Sequence, residues 1–216
     1  MPSVSLVTVT PDAEELLVYM ARVSNPANQV TGKGSERLIQ YLIDHKHWSP
    51  FEMVYMVLEI NTTRSIAAQI LRHKSFSFQE FSQRYADTEL IGYAKPPHLR
   101  RQDQSNRQNS IDDLTADKTQ IFYRRINQHF EEAQDLYREM VSVGVAKECA
   151  RDVLPLATPT RMYMAGSVRS WIHYIDLRSQ NGTQLEHMQI AQQAKEIFNK
   201  QFPTISKALD WSTDGP

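Results

Sequence analysis

Between Arg72 and Tyr85 the chain reads RHKSFSFQEFSQRY, which sets two arginines, a histidine, a lysine and a glutamate among serines and aromatics. Arginine offers a planar fork of donors and serine a short adaptable one, so this density of cations and hydroxyls suits a phosphate. The alternative is a solvated helix end whose cations favour the negative pole of the helix dipole. Arg72 to Lys74, taken alone, fits either. His45 and His47 form a His-x-His pair that could suggest a metal, but no carboxylate or cysteine nearby completes a ligand set. Structural or hydrogen-bonding histidines are therefore expected, and no metal site. Cys149 is the only cysteine, which rules out an intramolecular disulfide and a four-cysteine zinc site. Lys147 and Arg151 could lower its pKa, yet nothing around it resembles a nucleophile's setting, and a buried or bystander thiol is expected.

The elements that must position these residues follow from pattern. Val4 to Thr10 reads as a strand ending at Pro11, and Pro11 to Ser24 carries a helical pattern that Asn25-Pro26 ends. After Thr31-Gly32-Lys33-Gly34, the residues Leu38, Tyr41 and Leu42 predict an amphipathic helix from Ser35, its cap, to about His45. Phe51 to Ile60 reads as a central strand. Asn61-Thr62-Thr63 then offers caps for a helix from about Arg64 to Lys74, with Ile66, Ala67, Ile70 and Leu71 on the packed stripe and Ser65, Gln69 and Arg72 on another face. Ser77 to Tyr85 is less regular, and Ala94 to Asp113 reads as a polar, mobile loop. Helices are expected over about Leu114 to Val143, Lys147 to Asp152, Val168 to Leu177 and Thr183 to Phe202. Few strands among many helices, without βαβ alternation, predict an α+β fold.

Four blocks of this sequence resemble the flavin-dependent thymidylate synthase family. Arg72, His73, Ser82, Arg84 and Tyr85 match in order and spacing the signature Arg-His-Arg, seven residues, Ser, then Arg-Tyr, with Lys74 in place of the third Arg. His47-Trp48-Ser49-Pro50-Phe51-Glu52 is similar to the family's His-x-Thr/Ser-Pro-Phe-Glu segment, with Met53 where a second His is common. Ala150-Arg151 through Leu154-Pro155 resembles its Ala-Arg-x-x-Leu-Pro stretch. Ser167 to Arg178 resembles its Asn-x-Arg-Ser…Asn…Leu-Arg helix, with Ser167 and His173 where Asn is common. Together the blocks span about Ala21 to Phe202.

The resemblance implies one catalytic domain over residues 1–216, built on a mainly antiparallel central sheet with several long helices and assembled as a homotetramer with sites between subunits. It implies reductive methylation of dUMP to dTMP, with methylenetetrahydrofolate as carbon donor, FAD reduced by NADPH as hydride source, and no cysteine nucleophile. The implied dUMP residues are Gln69, Arg72, Glu80, Ser82, Arg84, Arg151 and Arg178; those for FAD are Ser49, Arg72, His73, Lys74, Glu80, Ser167, Arg169 and His173. Arg178 and Ser82 are the implied catalytic residues. Helical geometry independently puts Arg169 and His173 on one face and Trp171, Tyr174 and Arg178 on another, because nine residues at about 100° each set Arg178 opposite Arg169. Trp171 and Tyr174 themselves are expected in the core.

Composition bounds the rest. The 216 residues carry a formal charge of −1, which argues against a protein built to neutralise nucleic-acid backbones. A nucleic-acid face made by Arg100, Arg101 and Arg107 is diluted by Asp103, Asp112 and Asp113. No eighteen-residue apolar run and no signal-peptide pattern is present, so a cytoplasmic protein that neither spans a membrane nor is exported is expected. A nucleotide- or flavin-binding module without turnover is the competing reading; Lys74, Met53 and His173 favour it.

Overall fold

In a computed structural model, residues 2–31 and 34–211 are described; Gly32 and Lys33 of the expected connection lie outside them. The chain runs β1 (Ser3–Val9), α1 (Ala13–Ala21), α2 (Pro26–Thr31), α3 (Ser35–Asp44), β2 (Tyr55–Thr63), α4 (Arg64–Ile70) and β3 (Ser77–Glu80). It continues through β4 (Arg101–Gln102), β5 (Ser110–Ile111), α5 (Ala116–Ser142), α6 (Lys147–Ala150), β6 (Pro159–Ser167), α7 (Val168–Arg178), α8 (Leu185–Gln201) and α9 (Pro203–Ala208).

The central sheet has the order β1-β2-β6-β3, and each neighbouring pair is antiparallel. Its two middle strands alternate with period two, so Met56, Leu58, Ile60 and Thr62 of β2 and Thr160, Met162, Met164 and Gly166 of β6 face inward. Pairing in register sets Leu58 against Met164 and Ile60 against Met162. The outer face carries a polar cluster among Tyr55, Val57 and Tyr163: Arg161 donates to Asn61 at 3.0 Å, and Asn61 donates to Glu59 at 3.0 Å. The inward residues join one core with Leu17 and Val18 of α1, Ile39 of α3, Trp171 and Ile175 of α7, and Ile190 and Phe198 of α8. An α+β architecture with an antiparallel sheet is thus the structure found.

The chain passes from β2 straight into α4 and from β6 straight into α7. Thr63 and Ser167 are the N-caps, each in extended backbone, and the Ser167 hydroxyl accepts from the Ser170 N–H. These two strand-to-helix corners lie on paired strands, which brings α4 and α7, the carriers of the cationic residues, onto one sheet.

Several boundaries differ from expectation. Residues Ser49–Glu52 form a 3₁₀ turn and the strand begins only at Tyr55, because Pro50 suits the first turn of a helix and the turn folds Phe51 into the core. The helix predicted to reach Lys74 stops at Ile70; the chain turns back so that Phe76 enters the core and Ser77–Glu80 pairs with β6. Gly34, at φ 74°, takes the N-cap position assigned to Ser35, which is the first helical residue. β3, β6, α2 and α9 went unforeseen. The Ala94–Asp113 stretch contains the small β4-β5 hairpin. Cys149 is exposed, which removes the buried alternative for that thiol. Among the described residues no helix is long and apolar enough to cross a membrane.

Gly166 marks the tightest packing. A Cβ there would lie 2.5 Å and 2.6 Å from the Phe76 ring, which is itself held edge-on by Trp171 at 4.9 Å and by Tyr174 at 5.8 Å. With its neighbours fixed, the ring cannot retreat cheaply. Gly166→Ala is expected to destabilise the fold by about 1–3 kcal/mol, read as a lower urea midpoint; an unchanged midpoint would mean that the aromatic cluster is loosely packed.

Candidate active site

The residue that organises the site is Arg178, in the last turn of α7. Its Nε donates to His73 Nε2 at 3.1 Å, which is possible only if that nitrogen is unprotonated, so the imidazole is neutral with its proton on Nδ1. His73 stands edge-on to Tyr174, 5.0 Å between ring centres, and 6.1 Å from His187. Burial, then the nearby charges of Arg178 and His173, push His73 down to about 4. Beneath it His187 is fully buried, with Nε2 3.1 Å from the Tyr174 hydroxyl and Nδ1 without a hydrogen-bond partner among the described residues. Burial, then Arg178 and His73, push His187 down to about 4 as well. The Tyr174 hydroxyl is driven upward by burial, with Arg178 opposing. The floor of the site is therefore uncharged, and the guanidinium lies on it as the fixed charge.

A second set surrounds the other end of α7. Glu52 accepts from the Ser167 hydroxyl at 2.5 Å and from Arg169 Nη1 at 2.9 Å, which ties the 3₁₀ turn that begins at Ser49 to the start of α7. Ser170 donates to the carbonyl of Ser75 at 3.2 Å, anchoring the turn that carries Arg72, His73 and Lys74. Arg169 and His173 both lie on the exposed face of α7, while Trp171 and Tyr174 are buried. The two-face division expected from periodicity is the one found. Ser49, His73, Lys74, Ser167, Arg169, His173 and Arg178 thus converge around α7 and the 72–75 turn.

The remaining residues collect at the opposite end of α4. Arg64, its first residue, donates to Glu80, which also accepts from the Thr160 hydroxyl at 2.8 Å. Arg64, Gln83 and Arg151 line a cleft of about 290 Å³ with Leu154, Pro155 and Thr158. Ser82 lies in the turn that leaves β3, its carbonyl accepting from the N–H groups of Tyr85 at 3.2 Å and Ala86 at 3.0 Å. Arg84 pairs with Glu148 at 3.1 Å, half exposed. Seven helical residues span only about 10 Å, so α4 separates this group from Gln69 and Arg72 by roughly that length. A larger depression, about 370 Å³, lies between Tyr93 and the α5 residues Phe130, Gln134 and Arg138; it contains none of the expected site residues.

Sequence reasoning assigned no role to Glu52, Arg64, His187, Gln184 or Glu186. Glu52 lay inside a recognised motif, and its partner is 117 residues away in the chain. His187 sits on an apolar helix face, where a core histidine and a site histidine look alike. His45 stacks on Tyr41, ring centres 4.0 Å apart, and its Nδ1 lies 2.9 Å from the Tyr41 carbonyl. Among the described residues no three His, Cys, Asp or Glu side chains are grouped to hold a metal.

A flavin would need cations and hydroxyl or amide donors for its pyrophosphate and ring edge. The exposed Lys74, Arg169 and His173, with Ser49 nearby, are a donor set of that chemistry, so the residues present fit such a group.

The neutral histidines fix a pH dependence. Above the ordinary imidazole value both folded and unfolded chains hold these rings neutral. As pH falls through the window from about 6.5 to about 4, the unfolded chain takes up protons that the folded one refuses, so stability declines. The fully buried His187 accounts for up to about 3 kcal/mol of that decline. Urea unfolding at pH 7.5 and 4.5 should show His187→Gln losing less stability than the parent; an equal loss would place the titration elsewhere.

The model of the family described as thymidylate synthase complementing protein matches residues 5–204. A probable flavin-dependent thymidylate synthase of Paramecium bursaria Chlorella virus 1 is 53% identical over 200 residues, 92% of this chain and 91% of that protein. The flavin-dependent thymidylate synthase of a Synechocystis strain is 51% identical over 199 residues, covering 92% and 90%. Among solved structures, a UMP/dUMP methylase of Streptomyces cacaoi bound to 5-bromo-dUMP superposes with TM-score 0.85 at 26% identity, over 97% of this chain and 95% of that one. With a neutral His73 under Arg178, cations on both sides of α4 and these likenesses over nearly its whole length, the chain belongs to the thymidylate synthase complementing protein family, the flavin-dependent thymidylate synthases.

Proposed function

We propose that the chain methylates dUMP to dTMP reductively, as a single catalytic domain, with methylenetetrahydrofolate as carbon donor. Bound FAD, reduced by NADPH, would supply the hydride that completes the methyl group. The observation that carries this reading is the Arg178–His73 contact at 3.1 Å, beside a surface of cations suited to phosphates. On this reading Arg178 meets the pyrimidine, where its guanidinium stabilises the negative charge that develops as the ring becomes nucleophilic at C5. A neutral His73 cannot repel it. Gln69, Arg72, Glu80, Ser82, Arg84 and Arg151 hold the nucleotide, with Ser82 orienting it; Glu80 also fixes Arg64, which lines the cleft with Arg151. Ser49, Lys74, Arg169 and His173 hold the flavin along with His73 and Arg72, and Ser167 sets the start of α7 through its cap. Cys149, exposed on α6, takes no part.

The separation of the residues by α4 supports a site completed by residues of another copy, and hence a homotetramer. So does α5, about 40 Å long by its 27 residues, which leaves Ile121, Phe122 and Leu136 roughly half exposed. Apolar side chains at that exposure along one long helix suit association with a like surface. A cytoplasmic setting accords with these small-molecule substrates.

Purified protein is expected to be yellow, to bleach with NADPH, and to form dTMP from dUMP and methylenetetrahydrofolate; comparison with UMP tests whether the ribose 2′-hydroxyl is accepted. Arg178→Ala should retain the flavin spectrum and lower kcat by about 10²-fold or more. Arg72→Ala should raise the KM for dUMP by about tenfold or more, the loss of a charged hydrogen bond. Unchanged turnover in the first variant, or unchanged KM in the second, would remove that residue from its role.

A further inference from the structure

A line of hydrogen bonds connects the β4-β5 hairpin to Gln69. Arg100, whose side chain is 10% exposed, grips Glu186 with both terminal nitrogens, Nη1 to Oε1 at 2.7 Å and Nη2 to Oε2 at 3.1 Å, and its Nε donates to the Ser110 hydroxyl at 2.8 Å. Glu186 Oε2 also accepts from Gln184 Nε2 at 2.9 Å. Gln184 Oε1 in turn accepts from Gln69 Nε2 at 2.7 Å.

The direction of every bond in this line is forced from one end. A carboxylate paired with arginine can only accept, so Gln184 must turn its amino group toward Glu186 and its carbonyl toward Gln69. Gln69 must then point its amino group at Gln184, because the reverse would bring two carbonyl oxygens to 2.7 Å. One N–H of Gln69 is used in this contact and the second remains on the same nitrogen, three residues before the exposed Arg72.

We propose that Gln184 and Glu186 are positioning residues that lock the Gln69 amide so that an N–H is offered to the nucleotide phosphate, with Arg100 holding the fixed end of the relay. This rests on the reading that Gln69 and Arg72 hold the nucleotide, and takes the group beside the Arg72 guanidinium to be its phosphate. The chemistry accounts for the need: Gln69 stands in the last turn of α4, where exposed carbonyls disfavour an anion, and a freely rotating amide would present its oxygen part of the time. The hairpin therefore acts on affinity at a distance, through hydrogen-bond polarity and not through contact.

The experiment is a mutant cycle on purified flavin-loaded protein, with the Kd for dUMP from titration calorimetry and kcat at saturating dUMP. Glu186→Gln, which can turn either end of its amide to Gln184, is expected to raise Kd by about three- to tenfold, the loss of one oriented hydrogen bond. Its kcat and flavin spectrum should hold. Gln184→Leu, at an exposed position that leaves the Arg100–Glu186 pair intact, should raise Kd equally. In a Gln69→Ala background neither change should weaken binding further. If Gln69→Ala weakens dUMP binding but the other two leave Kd unaltered, or act just as strongly without Gln69, the relay is overturned while the phosphate site stands. If Gln69→Ala itself leaves Kd unaltered, the reading of Gln69 fails and the relay with it.

Discussion

The contact between Arg178 and an unprotonated His73 is the constraint on which the site depends. An arginine cannot give up its proton at accessible pH, so its partner must be the neutral one. The fold secures this by half-burying His73 above the buried Tyr174 and His187, because burial, more than the charge of Arg178, disfavours the protonated ring. A guanidinium hydrogen-bonded to a neutral imidazole is held in place without being neutralised, and its charge remains available to a ligand. A carboxylate partner would hold it more strongly but would cancel its field.

The sheet supplies the geometry. β2 and β6 are paired from Tyr55–Ser167 to Thr63–Pro159, and each runs without a loop into a helix, α4 at one end and α7 at the other. Strand pairing thus sets the relative placement of the two cation-bearing helices as rigidly as a core does. Glu52 performs the corresponding task for the 3₁₀ turn, drawing it to α7 through Ser167 and Arg169. Gly166, by leaving room for Phe76, lets the aromatic floor approach the sheet closely enough to sit under His73.

Local chemistry made some of this legible in the sequence. The helical faces of α7 followed from its period, and the placement of Trp171 and Tyr174 in the core followed from residue type. What stayed hidden depends on partners distant in the chain. β6 reads PTRMYMAGS, poor in β-branched residues, and becomes a central strand only because β2 and β3 flank it. The early end of α4 is dictated by Phe76 entering the core, which no helix propensity of Leu71 to Lys74 reports. The Ala94–Asp113 stretch looked like a loose loop because its order lies in ion pairs such as Arg101–Asp113 and Arg100–Glu186, and no local pattern announces a partner 86 residues away. Site residues identified by resemblance lie around α7, at the end of α4 or around the cleft beyond its start, a division that spacing alone did not disclose.

The central claim, that a neutral imidazole carries Arg178, is tested most directly by nitrogen-15 NMR of the histidine rings in the purified flavoprotein as pH is lowered. His73 should show a protonated Nδ1 and an unprotonated Nε2 at neutral pH and should begin to take its second proton only near 4. An imidazole at position 73 that titrates at the ordinary value of about 6.5, or that carries its proton on Nε2, would contradict the account.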